Sequence, residues 1–97
     1  MKIWFALYDP NLAVRESAAQ ALHAVLNLIV KRQNSDAWFT KLWERCFSKG
    51  ARTIEQIHGS LLVLGELLLI PGNFRERHFK ESCDKILRLK VRYLVHI

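Results

Sequence analysis

Glycine and proline are scarce in this 97-residue chain, at four and two residues. An all-β domain needs turn residues at short intervals, so this shortage argues against one and favours helices joined by brief connections. Cysteine is scarcer still, with only Cys46 and Cys83. Two thiols make no disulfide framework and, in a chain without a secretory signal, are expected as free thiols. Neither stands at a paired, zinc-type spacing with His23, His58, His78 or His96, so no metal ligand is assigned. No apolar run reaches the roughly 20 residues that span a bilayer. The opening MKIWFALYDP has one lysine and a very short apolar stretch before Asp9-Pro10, which makes neither a signal peptide nor a membrane anchor. A phosphate loop is missing too. Gly59 and Gly65 are followed by no Lys-Ser/Thr and preceded by no strand, so they are expected to admit close helix packing. No cofactor is expected.

What is present is a core. Hydrophobic residues make up 51% of the chain, enough for one small domain. Its centre is Ile57 to Ile70, IHGSLLVLGELLLI, in which Glu66 is the single charge. Ile54, Ile57, Leu61, Leu64 and Leu68 step by three and four onto one helical face, and Leu62, Leu67 and Leu69 broaden it. A helix so apolar must be covered on more than one side.

Taken in order, Ile3 to Tyr8 resembles the end of a helix, with Trp4, Phe5 and Leu7 at an open apolar edge. Asp9-Pro10-Asn11 turns the chain and offers a cap. A helix over 12–33 follows, with Leu12, Ala19, Leu22, Leu26 and Ile29 inward, Ala18, Ala21 and Val25 beside them, and Arg15, Glu16, Gln20, His23 and Asn27 elsewhere. Lys31 and Arg32 suit its C-terminal dipole. Asn34-Ser35-Asp36 opens a second helix over 36–49, stopped by Gly50, with Trp38, Leu42 and Cys46, joined by Phe39 and Trp43, as its buried side. Thr53 and Gln56 form a capping box for a helix over 53–70, which Pro71-Gly72 ends. Asn73 and Glu76 suggest another cap for a helix over 74–90 with Phe74, His78 or Phe79, Cys83, Ile86 and Leu87 inward. VRYLVHI either extends it or begins another element.

Like elements recur in this order. The helices opening near Asn11 and Thr53, and those opening near Asp36 and Asn73, are separated by roughly 40 residues, the HEAT/armadillo interval. The expected fold is therefore all-α: a HEAT/armadillo-type α-solenoid fragment of antiparallel helix pairs, one unit over 1–97.

No catalytic residue is assigned either. His58 heads the apolar helix without a nucleophile or carboxylate at a diagnostic spacing, so it is expected to be structural. Glu66 lies either on an exposed edge or against a basic residue of a neighbouring helix. The net charge of +6 is concentrated late: from Arg75 onward seven Lys or Arg face three acidic residues. Arg75, Lys80, Lys85 and Lys90 drift around the helix, and Phe74 and Phe79 serve the core, so the basic stripe with interleaved aromatics that nucleic acid requires is not formed.

Two segments carry a family likeness. Asp9-Pro10 with Ala13-Val14-Arg15-Glu16, Ala18-Ala19, Ala21-Leu22 and Leu26 resembles the inner helix of a HEAT repeat. Ile57-His58-Gly59-Ser60-Leu61-Leu62 with Leu64, Gly65, Glu66, Leu67 and Leu68 is similar to the "IHGSLL.LGELL" stretch in the N-terminal HEAT region of target of rapamycin (TOR) kinases. Arg32, Trp38 and Phe79-Lys80-Glu81 also match in order and spacing, so the likeness covers about residues 5 to 89. It departs at Leu69-Ile70-Pro71, where the family turns polar, and after Lys90. The resemblance implies a non-catalytic piece of a very large Ser/Thr protein kinase, whose ATP-binding and catalytic residues have no counterpart here. It implies a curved scaffold whose partners are neighbouring repeats and regulatory subunits in nutrient and growth signalling, located in the cytoplasm or at endomembranes through the complex. The competing expectation is a free-standing helical adaptor that binds an acidic protein or nucleic acid through Arg75 to Arg92. A slice of solenoid is further expected to self-associate through its open ends.

Overall fold

The structure, a computed structural model, describes residues 3–32, 34–47 and 53–95, the last four as backbone only. Five helices follow one another: α1 (Ile3–Leu7), α2 (Leu12–Ile29), α3 (Ser35–Arg45), α4 (Ile54–Leu69) and α5 (Asn73–Val95). No strand occurs among the described residues. α4 packs against each of the other four, as the most apolar helix must if its faces are to leave water.

Cross-links between helices give the register. Arg15 reaches His58 and His23 reaches Glu66, each pair 43 residues apart in sequence. Both contacts step forward together by two turns along α2 and α4, so these helices run parallel and in register. Asp36 with Arg77 and Trp43 with Ser82, 41 and 39 residues apart, set α3 parallel to α5 as well, without the equal step of the first seam. The chain is therefore an all-α, HEAT-type fragment in which one helix pair is repeated and stacked on the next, at a period close to that expected.

The ends of the helices follow local chemistry. Asn11 caps α2 by accepting from the Ala13 N–H at 2.9 Å, and Thr53 with Gln56 closes the expected box at the head of α4. α2 stops at Ile29 rather than 33 because the amides of Lys31 and Arg32 bond three residues back, to Leu28 and Ile29, and tighten the chain into a turn. α3 begins at Ser35 without a side-chain cap from Asn34. It ends at Arg45, again through a tight bond from the Phe47 N–H to the Glu44 carbonyl; Lys49 and the Gly50 stop lie outside the described residues. Ile70 is extended, as a residue before proline must be, and Gly72 adopts φ +138°. Asn73 is the first helical residue rather than the cap, and the Glu76 N–H bonds to the Gly72 carbonyl. α5 continues through 91–95, which decides how VRYLV is built.

Several buried faces are rotated from those expected. On α2, Arg15 joins Ala18, Ala19, Leu22 and Leu26 in the interior, while Leu12 is half exposed. On α3, Phe39, Leu42, Trp43 and Cys46 are buried and Trp38 is turned out. On α4, the inward face runs through Ile57, Ser60, Val63, Leu64 and Leu67, leaving Leu69 exposed. On α5, Phe74, Ser82 and Leu89 face inward, but Phe79 and Leu87 do not. α1 also departs from an open edge: Trp4 and Leu7 are buried because this short helix folds back onto α2 and α4, and Phe5 alone projects into solvent.

Candidate functional site

Polar side chains meet inside the molecule where the Asp9-Pro10 turn, α2 and α4 come together. The turn leaves two backbone carbonyls without helical partners, and Arg15, one turn into α2, donates to both through Nη1: 2.7 Å to Asp9 and 3.0 Å to Pro10. Its Nε donates to His58 Nδ1 at 2.9 Å. Arg15 as a whole is 7% exposed, so its charge is held by acceptors more than by water, as a buried cation requires. Accepting at Nδ1 fixes His58 as the neutral tautomer with its proton on Nε2. Burial, and then the Arg15 charge, push the His58 pKa below its ordinary value, against a smaller raising influence from Glu16.

Beside this junction α1 touches α4 almost backbone to backbone. A Cβ built on Gly59 would lie 2.1 Å from the Leu7 carbonyl oxygen. Only glycine admits that approach. Next to it the Tyr8 hydroxyl and the fully buried Ser60 hydroxyl lie 3.2 Å apart. Gly65, expected to behave similarly, has nothing within 4 Å of its Cβ position and is exposed. The two glycines of the run therefore serve different ends.

The other singled-out residues disperse through the fold. Glu66 is paired rather than solvated on an edge: its carboxylate accepts from His23 Nδ1 at 2.6 Å, so its partner on the neighbouring helix is a histidine. His78 stacks between Phe74 and Trp43, and His96 is outside the described residues. Cys46 is buried with its thiol on the Leu42 carbonyl, Cys83 is half-buried, and the two are not joined in a disulfide. Among the described residues no group of three or more His, Cys, Asp or Glu side chains is close enough to hold a metal ion. Part of the basic C-terminal segment makes contacts within the fold, while Lys80, Arg88 and Lys90 are exposed. Arg75 donates to the Leu68 carbonyl, Arg77 pairs with Asp36 at 2.6 Å, and Lys85 lies over Trp43 and Phe47 while contacting Glu81.

What remains open to a partner is a groove between α1 and α3. One cavity of about 230 Å³ is bounded by Trp4, Trp38, Lys41, Leu42 and Arg45. A second, of about 330 Å³, shares Trp4 and Arg45 and continues toward Phe5, Tyr8 and Asp9. The Arg45 guanidinium lies over the Trp4 ring at 5.1 Å. Sequence reasoning missed both the groove and the Arg15 junction. For Arg15 the signal was available, since positions 15, 18, 19, 22 and 26 share one helical face; for the groove it was not, because nothing local brings residue 4 to residue 45.

Comparison with known proteins agrees with the repeat geometry. The chain is 40% identical over 98 residues to a "Serine/threonine-protein kinase TOR" of Arabidopsis thaliana and 40% identical over 99 residues to that of Oryza sativa, in each case across 97% of its own length. It is 36% identical over 97 residues to "Serine/threonine-protein kinase tor1" of Schizosaccharomyces pombe, across 91% of its length. The chain spans about 4% of the length of these curated relatives. No family model matches it. No solved structure matches it.

Proposed function

Starting from a chain that is homologous along nearly its whole length to one short segment of the TOR Ser/Thr protein kinases, we propose that it is a non-catalytic HEAT-repeat scaffold unit, spanning 1–97, of a TOR-like kinase. Its work is protein–protein assembly in nutrient and growth signalling, with regulatory subunits of a TOR-like complex and neighbouring repeats as partners. The cytoplasm is its place of action. The observation that carries this reading is the pair of parallel seams, α2 on α4 and α3 on α5. Parallel stacking of like helices is how solenoids build extended binding faces. Its polar groups support the same conclusion. His58 Nδ1 is occupied by Arg15, and the Ser60 hydroxyl is fully buried beside Tyr8, so the nucleophile and base that covalent catalysis needs do not meet at an open surface. No helix among the described residues is long and apolar enough to cross a membrane.

The basic-face adaptor keeps only part of its face, since Arg75, Arg77 and Lys85 make contacts within the fold while Lys80, Arg88 and Lys90 are exposed. An affinity-tagged chain is expected to co-purify with regulatory subunits of a TOR-like complex and, when purified alone, to transfer no phosphate from ATP to a protein substrate. Loss of co-purification, or kinase activity that disappears on a point substitution in this chain, would overturn the proposal.

A further inference from the structure

We propose that the groove between α1 and α3 docks a short acidic segment of a partner protein, seated by a bulky apolar side chain against the exposed Trp38 and held by a carboxylate at Lys41, beside the Arg45 guanidinium that covers Trp4. This deepens the assembly reading and rests on it. Shape favours side chains over a cofactor: small-molecule sites enclose most of the ligand, whereas here cavities of about 230 and 330 Å³ share Trp4 and Arg45 and open to solvent.

The lining is that of a contact site. Trp38 is 49% exposed and Phe5 84% exposed, one flanking each cavity. Large aromatic surface is expensive to leave in water and is enriched where interfaces form. Charge selects the occupant. Lys41 and Arg45 are one helical turn apart on α3 and are the charged groups that line the Trp38 cavity among the described residues. Asp9 lies in the other cavity, where its carboxylate already accepts from the Asn11 N–H at 2.8 Å. A carboxylate entering near Trp38 therefore meets cations, and an arginine or lysine there is repelled. Two cations, with Glu44 exposed beside them on α3, are too few for the phosphate tracking that nucleic acid demands.

The test is fluorescence polarisation of a labelled peptide alternating Glu with Leu and Phe, titrated with the 97-residue chain. Saturable binding is expected. It should weaken about tenfold or more in Lys41→Glu, as loss of a charge-assisted contact implies, and similarly in Trp38→Ala. Both positions are exposed, so unchanged circular dichroism is expected alongside. Lys80→Glu, which reverses a charge on α5 away from the groove, should leave the affinity within about twofold. The same peptide with Lys in place of Glu should not bind. Any of four results would overturn the inference: no saturation, equal binding of the Lys peptide, equal loss with Lys80→Glu, or full displacement by a single-stranded oligonucleotide. A peptide signal that falls at high chain concentration while the chain's light-scattering mass rises would likewise overturn it, by making a second copy the occupant. If the peptide fails while the tagged chain still co-purifies with the complex, the groove assignment falls and the scaffold reading stands. If the peptide binds but co-purification fails, the reverse holds.

Discussion

Arg15 shows how a single residue can close several accounts at once. Its three part-buried hydrogen bonds join the Asp9-Pro10 turn, α2 and α4, and removing it takes the shared donor from two carbonyls and a ring nitrogen at once. Arg15→Ala is therefore expected to destabilise the chain by about 2–4 kcal/mol in chemical denaturation. Arg15→Lys should recover little, because an ammonium cannot reproduce the fork that serves three acceptors. His58 gives the second prediction. Its pKa is lowered in the folded state, so below the ordinary value of 6.5 the unfolded chain binds the proton more readily. The stability this neutral histidine contributes is complete above about pH 6.5 and is lost as pH falls from there through the depressed folded value. His58→Gln keeps an acceptor for Arg15 without the titration. Denaturation midpoints measured from pH 7.5 downward should fall less steeply for this variant than for the parent; parallel curves would show that the histidine does not act this way.

At the scale of one helix, α4 poses a sharper question through its two glycines. Gly65 sits in the helix interior with open space where a Cβ would go, so Gly65→Ala removes unfolded-state freedom at no steric cost. A gain of about 0.5–1 kcal/mol is expected. Gly59→Ala places a methyl group against the Leu7 carbonyl and the Tyr8 ring. Neither backbone can retreat without lifting α1 from the core, and a loss of about 1–3 kcal/mol is expected. Thermal melts of the two variants should therefore move in opposite directions. Two shifts of the same sign would mean that α1 does not rest on α4 as described.

At the scale of the whole molecule, α5 carries a row of exposed apolar side chains. Phe79, Leu87 and Val91, with half-buried Cys83 between them, lie along α5 at steps of four or eight residues and are largely exposed. The two ends of the fold differ, since α1 folds back to bury Trp4 and Leu7 at the other. The isolated chain is expected to self-associate through α5, so its apparent mass in light scattering should rise with concentration. Leu87→Lys should lower that mass while leaving the helical circular dichroism unchanged. A monomer at every concentration would show that the exposed row is too narrow to drive association.

Sequence alone determined what depends on near neighbours and periodicity. Helices, their order, the Asn11 and Thr53 caps, the Pro71-Gly72 stop and the repeat of like elements all follow from chemistry acting over a few residues or from a pattern read twice. The IHGSLL segment also carried the family likeness. Tertiary structure decided which side of each helix faces inward. Arg15 looks like a surface residue until the Asp9 and Pro10 carbonyls and His58 are brought around it, and Trp38 looks like core until Phe39 and Trp43 meet Phe74, His78 and Ser82 instead. The partner of Glu66 was likewise open until α2 came into register with α4. Helical periodicity marks an apolar arc wider than one contact, and only the neighbouring helix selects the part of the arc that is buried.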